Sequence, residues 1–166
     1  MGKVIVITGT PAVGKSTLAV KLAKKIKFTR LDLHKYYKEI STGYDKSGKC
    51  YIIDIKKLEK LVAEKKKTKN LIVDSHIAHL LPKKLVDLCI VLVCSNLKKL
   101  EKRLQERKYN KQKIRENLDA EIFQVCYMEA KEKKHKVIVV DVNKRIDIDE
   151  IVKKIKKKDD LQLHVI

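Results

Sequence analysis

A glycine-containing loop near the N-terminus is the feature that most constrains how this 166-residue chain can fold. Residues 9–16 read G-T-P-A-V-G-K-S and lie between the apolar run at residues 4–7 and a helical pattern. They match G-x-x-x-x-G-K-[ST], in which glycines let successive backbone N–H groups point at phosphate oxygens and the following helix adds its positive end. The sequence therefore predicts a strand, a phosphate-binding loop and a helix; the alternative is an ordinary strand-to-helix turn.

Two polar residues at the end of this loop carry the chemistry of the pattern. Lys15 is expected to reach the β- and γ-phosphates of a nucleotide, and the hydroxyl of Ser16 is expected to bind Mg²⁺. The ligand that the pattern indicates is therefore a magnesium-bound nucleotide.

Length and cysteine usage predict one cytoplasmic domain, residues 1–166. No run approaches the ~18 consecutive apolar residues that a membrane span needs, and the first residues lack the order of a signal peptide. The cysteines form no C-x-x-C pair, so we expect reduced thiols rather than a metal site. They are Cys50, Cys89, Cys94 and Cys126.

The formal net charge of +19 favours a polyanionic partner such as RNA. The alternative is a solvated lysine surface, because the lysine runs at residues 65–67 and 156–158 fall on helical patterns. Abundant Lys, Glu and Ile also resembles the composition of hyperthermophilic proteins.

Apolar runs that alternate with helical periodicity predict the architecture. The predicted strands are residues 4–7, 28–33, 71–73, 88–93 and 137–140. One long helix is expected to carry Ile114, Leu118, Ile122 and Val125. Strands that are apolar throughout belong to parallel sheets covered on both faces. The fold class is therefore α/β: a P-loop NTPase fold with a five-stranded parallel sheet and helices on both faces, its loop at the carboxyl edge where such sheets bind ligands.

One segment interrupts this alternation. Residues 40–49 read I-S-T-G-Y-D-K-S-G-K, where a compact domain usually has a short connection. Insertions of this length often form lids or substrate loops. Disorder is the alternative, although the apolar residues that follow favour packing against the protein.

The segment after the third strand reads V-D-S-H, and its carboxylate is a candidate for the metal site. Asp74 at the end of a core strand would bind Mg²⁺ directly or through water, or it would cap the next turn. His76 could orient a water or accept its proton, or be a surface histidine. His79 has no cysteine or carboxylate near it in sequence to complete a zinc site.

Two of the five arginines lie one helical turn apart, at Arg103 and Arg107. Planar cations that close over phosphates are typical of phosphoryl transfer, and surface ion pairs with nearby glutamates are the alternative. After the fifth strand, Asn143 and Lys144 begin a guanine-reading pattern, N-K-x-D, that Ile146 breaks. The same loop could instead pack on adenine through the Lys144 stem.

The chain resembles the adenylate kinase isoenzyme six family, in its archaeal form, over nearly its whole length. The markers are G-T-P-x-V-G-K-S at 9–16, G-Y-D at 43–45, V-D-x-H at 73–76, R-L-x-x-R-x-Y at 103–109 and E-N-L-D-A-E-I-F-Q-V at 116–125. The last run is the most specific, because generic P-loop kinases do not share it.

The resemblance implies a set of residues around ATP and Mg²⁺. ATP contacts would come from Ala12, Gly14, Lys15, Ser16, Thr17, Arg107 and Lys144. Ser16 and Asp74 would hold the metal, and Asp74 with His76 would form the variant Walker B pair associated with ATP hydrolysis. The monophosphate region would span about residues 30–53 and a short lid about residues 106–116.

Members of the resembled family phosphorylate AMP and related monophosphates, hydrolyse ATP, and bind a small-subunit ribosomal protein of the uS11 type during late rRNA maturation. The resemblance thus implies a nucleoside monophosphate kinase with a ribosomal partner and an rRNA contact. An ATP-switched assembly factor with incidental kinase activity, and a kinase of another small molecule, are the rival interpretations.

Three positions depart from the family pattern. Ala12 and Lys108 stand where the family has glycine, which would limit φ in the loop and stiffen the lid. The monophosphate region has no arginine after Arg30, and its lysines Lys35 and Lys38 are point charges rather than bidentate forks.

Overall fold

The computed structural model describes residues 1–157 and the backbone of residues 164–165. Lys158, the last residue of the second lysine run, lies outside the described residues. Among the described helices, none has both the length and the apolar character needed to cross a membrane.

The strands form a parallel sheet and a separate hairpin. They are β1 (Val4–Thr8), β2 (Thr29–Leu31), β3 (Ser41–Asp45), β4 (Cys50–Ile53), β5 (Leu71–Asp74), β6 (Leu88–Val93), β7 (Val137–Asp141) and β8 (His164–Val165). The sheet order is β2-β5-β1-β6-β7-β8, with every neighbouring pair parallel. The predicted five-stranded parallel sheet is confirmed, and the two-residue β8 extends it beside β7.

Helices cover both faces of the sheet, as predicted. They are α1 (Lys15–Ile26), α2 (Tyr37–Ile40), α3 (Ile55–Lys66), α4 (Leu97–Glu106), α5 (Lys111–Ile122), α6 (Val125–Glu132) and α7 (Ile148–Lys156), with 3-10 helices at Leu33–Tyr36 and Ala78–Leu80. Successive strand residues point to opposite faces. Ile5 and Ile7 accordingly pack into the core beneath α1, α4 and α7, whereas Val4 and Val6 pack into the core beneath α3 and α6.

Three predicted segments differ from the structure by more than one residue at an end or in kind. The second strand covers Thr29–Leu31 rather than residues 28–33, because Asp32 caps the 3-10 helix that follows it. The segment at residues 40–49 is ordered as a β-hairpin, β3 paired with β4. The single long helix expected through Val125 is two helices, since Gln124 adopts the left-handed conformation (φ 50°) and begins α6 in a new direction.

Candidate functional site

The phosphate-binding loop lies at the carboxyl edge of the sheet, between β1 and α1. Gly9 and Gly14 have φ values of 148° and 97°, which other residues rarely adopt. A Cβ atom on Gly9 would also lie only 2.6 Å from the carbonyl oxygen of Leu92 on β6. Glycine at position 9 is therefore required by both conformation and space.

Ala12 occupies the strained position of this loop. Its φ is 71°, in the left-handed region, and its methyl group is buried. A left-handed residue with a Cβ costs roughly 1–2 kcal/mol. The methyl at this departure from the family pattern is thus tolerated by the fold at some cost in stability.

Lys15 curls back over the loop. Its Nζ donates hydrogen bonds to the carbonyl oxygens of Gly9 and Thr10, both at 2.9 Å. The pKa of Lys15 is lowered to about 8. The main cause is burial, which disfavours the charged ammonium; the charge of Arg107 also lowers the pKa, and Cys126 and Asp74 partly offset the decrease. The ammonium is therefore poorly compensated, and a phosphate group could supply the missing negative charge.

Ser16 and Asp74 meet beneath the loop, as the sequence predicts for a magnesium site. β1 pairs in register with β5, Ile7 opposite Asp74, so the end of β5 lies against the start of α1. The hydroxyl of Ser16 donates to Oδ2 of Asp74 at 2.9 Å. A hydroxyl and a carboxylate at this distance are oxygen ligands of the kind that Mg²⁺ prefers, so this pair fits the metal.

The carboxylate of Asp74 has a second partner that the sequence did not reveal. Arg30 Nε donates to Oδ1 at 2.7 Å and Arg30 Nη2 donates to Oδ2 at 3.0 Å, in a bidentate pair. The Asp74 side chain is only 4% exposed. Its charge is therefore already neutralised by the one arginine between residues 30 and 53.

The two histidines after β5 have different environments. His76 lies at the surface of the cleft, where partial desolvation and then the charge of Lys15 lower its pKa to about 4, so its ring is neutral at pH 7. His79 is buried, with Nδ1 2.6 Å from Oγ1 of Thr8 and Nε2 2.7 Å from Oε2 of Glu129. His79 thus ties the end of β1 to α6.

A cavity of about 500 Å³ opens beside the loop. Its walls include Gly14, Thr17, Leu18 and Lys21 from the loop and α1, Arg103 and Arg107 from the end of α4, and Val142, Ile146 and Ile148 after β7. A lining that combines cationic and apolar side chains suits a nucleotide. Lys144 is exposed and is not among the residues that line this cavity. Its loop contributes Val142 and Ile146 to the lining instead.

The predicted lid is a tight turn followed by the first turns of α5. Arg103 lies within α4 and Arg107 at its C-terminal cap, so only Arg107 is on the connection that follows the helix. Lys108 has a φ of 59°. Lys113 of α5 donates to the carbonyl oxygen of Gly48 in the β3–β4 hairpin at 3.0 Å, which joins lid and hairpin across the cleft.

Replacing Lys108 with glycine is expected to stabilise the protein by about 1 kcal/mol, because glycine adopts positive φ without a Cβ penalty. Lys102→Gly, in the exposed middle of α4, is the control and should lower the free energy of unfolding by about 1 kcal/mol. Urea denaturation measures both. Equal losses for the two variants would show that Lys108 is not left-handed in solution.

The sequence is similar to those of known proteins over most of its length. A family profile described as an AAA domain matches residues 5–124. A protein of Methanocaldococcus jannaschii, provisionally named an adenylate kinase, is 37% identical over 157 residues, covering 93% of this chain and 86% of that protein. The adenylate kinase isoenzyme 6 homolog FAP7 of Saccharomyces cerevisiae is 38% identical over 149 residues, covering 85% and 73%.

The chain belongs to the adenylate kinase isoenzyme 6 family. The resemblance read from the motifs is thereby confirmed. These relatives are named as adenylate kinases, which are nucleotide kinases.

Solved structures support the same fold. Deoxyadenosine kinase from M. mycoides, solved with bound dATP, aligns with a TM-score of 0.56 at 18% identity, covering 92% of this chain and 99% of that one. Shikimate kinase from Bacteroides thetaiotaomicron aligns with a TM-score of 0.52 at 16% identity, covering 93% and 97%. At these identities the likeness establishes the kinase-like P-loop fold alone.

This adenylate kinase isoenzyme 6 family member has a further polar residue at the loop to which the motifs assigned no role. Glu121 lies in the family-specific run on α5 and is 8% exposed. Its Oε2 accepts a hydrogen bond from the Thr10 hydroxyl at 2.6 Å, and its Oε1 accepts one from the backbone N–H of Cys94 at 2.7 Å. In the sequence, the one indication of a role for Glu121 was its place in the family-specific run at residues 116–125.

Proposed function

We propose that this chain transfers the γ-phosphoryl group of Mg·ATP to AMP, with a competing transfer to water. The observation that carries the proposal is the meeting of Ser16 and Asp74 at 2.9 Å beneath a loop that Lys15 covers. The adjoining cavity bears two arginines at the side where ATP would lie.

On the donor side, the loop amides and Lys15 would hold the phosphates, with further contacts from Ala12, Gly14, Ser16 and Thr17. Mg²⁺ on Ser16 and Asp74 would neutralise the charge of the phosphate oxygens. Arg107 would close over the phosphates from the lid, and the cavity beside Val142 and Ile146 would take adenine, with Lys144 at its edge. Catalysis of this kind is positioning together with charge stabilisation.

On the acceptor side, the region of residues 30–53 would bind AMP. In this region the ring of Tyr51 contacts the rings of Tyr37 and Tyr44, with centroids 5.7 and 5.1 Å apart. Aromatic faces of this kind can stack on a base. Lys35 and Lys38 are the candidate cations for the acceptor phosphate, and Arg30 would join them only by leaving Asp74. In the absence of an acceptor, neutral His76 would orient a water.

The experiment that tests this function compares ADP formation from Mg·ATP with and without AMP. Stoichiometric ADP from ATP plus AMP is expected, at a rate well above that of ATP alone. A rate that saturating AMP leaves unchanged would refute the kinase function.

A second candidate, an ATP-switched assembly factor, is favoured by one observation. Arg30, the acceptor region's arginine, is bound to Asp74 rather than free for a phosphate. Together with the net charge of +19, this suits a protein whose ATP turnover releases a small-subunit ribosomal protein of the uS11 type next to rRNA. ATP hydrolysis that responds to such a partner and not to AMP would establish it.

A further inference from the structure

A buried carboxylate connects the phosphate-binding loop to the helix that follows the lid. Glu121 is nearly inaccessible, and both of its oxygens accept hydrogen bonds, from Thr10 Oγ1 and from the Cys94 N–H. Each bond is short, at 2.6 and 2.7 Å, as expected for an ionised acceptor. Burying a carboxylate is costly unless its hydrogen-bond partners compensate. A buried glutamate at this position therefore indicates a specific role for those hydrogen bonds.

The partner in the loop is also a contact of Lys15. The Thr10 side chain binds Glu121, while the Thr10 carbonyl oxygen accepts from Lys15 Nζ at 2.9 Å. Thr10 is 4% exposed. Glu121 thus holds the residue on which the Lys15 ammonium rests, and its negative charge is near enough to raise the pKa of Lys15.

The other partner is part of the sheet. Cys94 follows directly after β6, which pairs with β1. Glu121 therefore bridges two carboxyl ends of the central strands, one through the backbone and one through a loop side chain. The two hydrogen bonds therefore hold Thr10 in place relative to the end of β6.

Glu121 and the lid share one rigid helix. α5 begins at Lys111, directly after the lid turn that carries Arg107, and Glu121 lies at its other end. In its first turns, Lys113 contacts the hairpin through Gly48. The Glu121 carboxylate consequently anchors the C-terminal end of α5, the helix whose first turns belong to the lid.

We propose that Glu121 is a positioning residue that holds the phosphate-binding loop and Lys15 in the geometry that binds Mg·ATP, and couples that geometry to the lid helix. This inference rests on the proposed function for its role in catalysis. Its structural part, the ordering of the loop, is independent of which acceptor is used.

The test compares Glu121→Gln, which keeps the shape and removes the charge, with Asp119→Asn. Asp119 lies on the same helix and pairs with Arg115 at the surface, with 43% of its side chain exposed. Backbone hydrogen exchange of residue 10 and residues 12–14 and the affinity for fluorescent Mg·ATP are measured without any transfer step. Steady-state kinetics then separate the KM for ATP, the KM for AMP and kcat.

In Glu121→Gln we expect exchange of the loop amides to accelerate at least about fivefold, with β1, β6 and β7 unchanged. The affinity for Mg·ATP should fall about tenfold, because Gln replaces a charged hydrogen-bond acceptor by a weaker neutral one and only part of that loss bears on the loop. The KM for ATP should rise and the KM for AMP should stay the same. Asp119→Asn should match the wild type in every measurement.

A second variant removes the same contact from the other side. Thr10→Val deletes the hydroxyl and keeps the β-branched shape. If Thr10 and Glu121 act through one contact, the double variant should lose no more affinity than the worse single variant. Additive losses would overturn the proposal.

The proposal is also overturned if Glu121→Gln leaves loop exchange and affinity unchanged, or if it accelerates exchange equally across the whole sheet, as a purely structural residue would. Failure of the proposed function has a different signature. A wild type that binds Mg·ATP but makes no ADP from ATP plus AMP would refute AMP phosphorylation, while the loop exchange and the affinity would still decide the role of Glu121.

Discussion

Lys15→Ala is expected to abolish measurable Mg·ATP binding in calorimetry and to reduce turnover by about 10³-fold, the upper range for removing one preorganised charge donor. The ammonium rests on the loop carbonyls at 2.9 Å, and in the proposed function it would bind the nucleotide's phosphates. Lys24→Ala, exposed on the same helix, is the matched control and should bind as the wild type does. Equal heats of binding for wild type and Lys15→Ala would contradict the assignment of this loop.

Lys15, which favours ATP binding, should lower the stability of the nucleotide-free protein. The pKa of Lys15 is lowered from 10.5 to about 8, first by burial, so the folded state disfavours the ammonium. Below about pH 8 this penalty is fully present, and it is relieved as the pH rises toward 10.5, because the unfolded chain then binds more protons than the folded one. Lys15→Met, which keeps the stem, should therefore be more stable by about 2 kcal/mol at pH 7. Urea denaturation should show this difference shrinking by pH 10; a wild type more stable at pH 7 would contradict it.

Arg107→Ala is expected to lower turnover by up to about 10³-fold with little effect on folding, the low end for arginines that stabilise the transition state of phosphoryl transfer. Arg107 lies at the exposed end of α4 and lines the nucleotide cavity. A planar fork suits phosphate oxygens, so Arg107→Lys should restore only part of the rate.

Arg115→Ala is the control for this experiment, because that arginine is 79% exposed and pairs with Asp119 away from the cavity. It should retain wild-type turnover. A loss below threefold in Arg107→Ala would remove Arg107 from the proposed role.

The parts of the structure that follow from local pattern could be predicted from the sequence. The loop at residues 9–16, the five apolar strands and the position of Asp74 at a strand end each depend on a few neighbouring residues. Because parallel strands end at one edge of a sheet, Ser16 and Asp74 could be placed together before the structure was known.

The contacts that could not be predicted join residues far apart in the chain. Arg30 reaches Asp74, and Glu121 reaches Thr10, through the order of strands and the path of α5. Helical periodicity did not reveal the break at Gln124 either, because the apolar residues on both sides keep nearly the same spacing. The hairpin at residues 41–53 was expected only as an insertion, since its glycines and turn formers also suit a loop.

The central position of β1 bears on how the protein is made. This strand pairs with β5 and β6, which come much later in the chain. During synthesis from the N-terminus, the apolar β1 has no sheet partner until β5 has left the ribosome, and it lacks its second partner until Val93 has emerged. The nascent chain thus exposes an unpaired apolar strand during an early part of its translation, a period in which a holding chaperone would be of use.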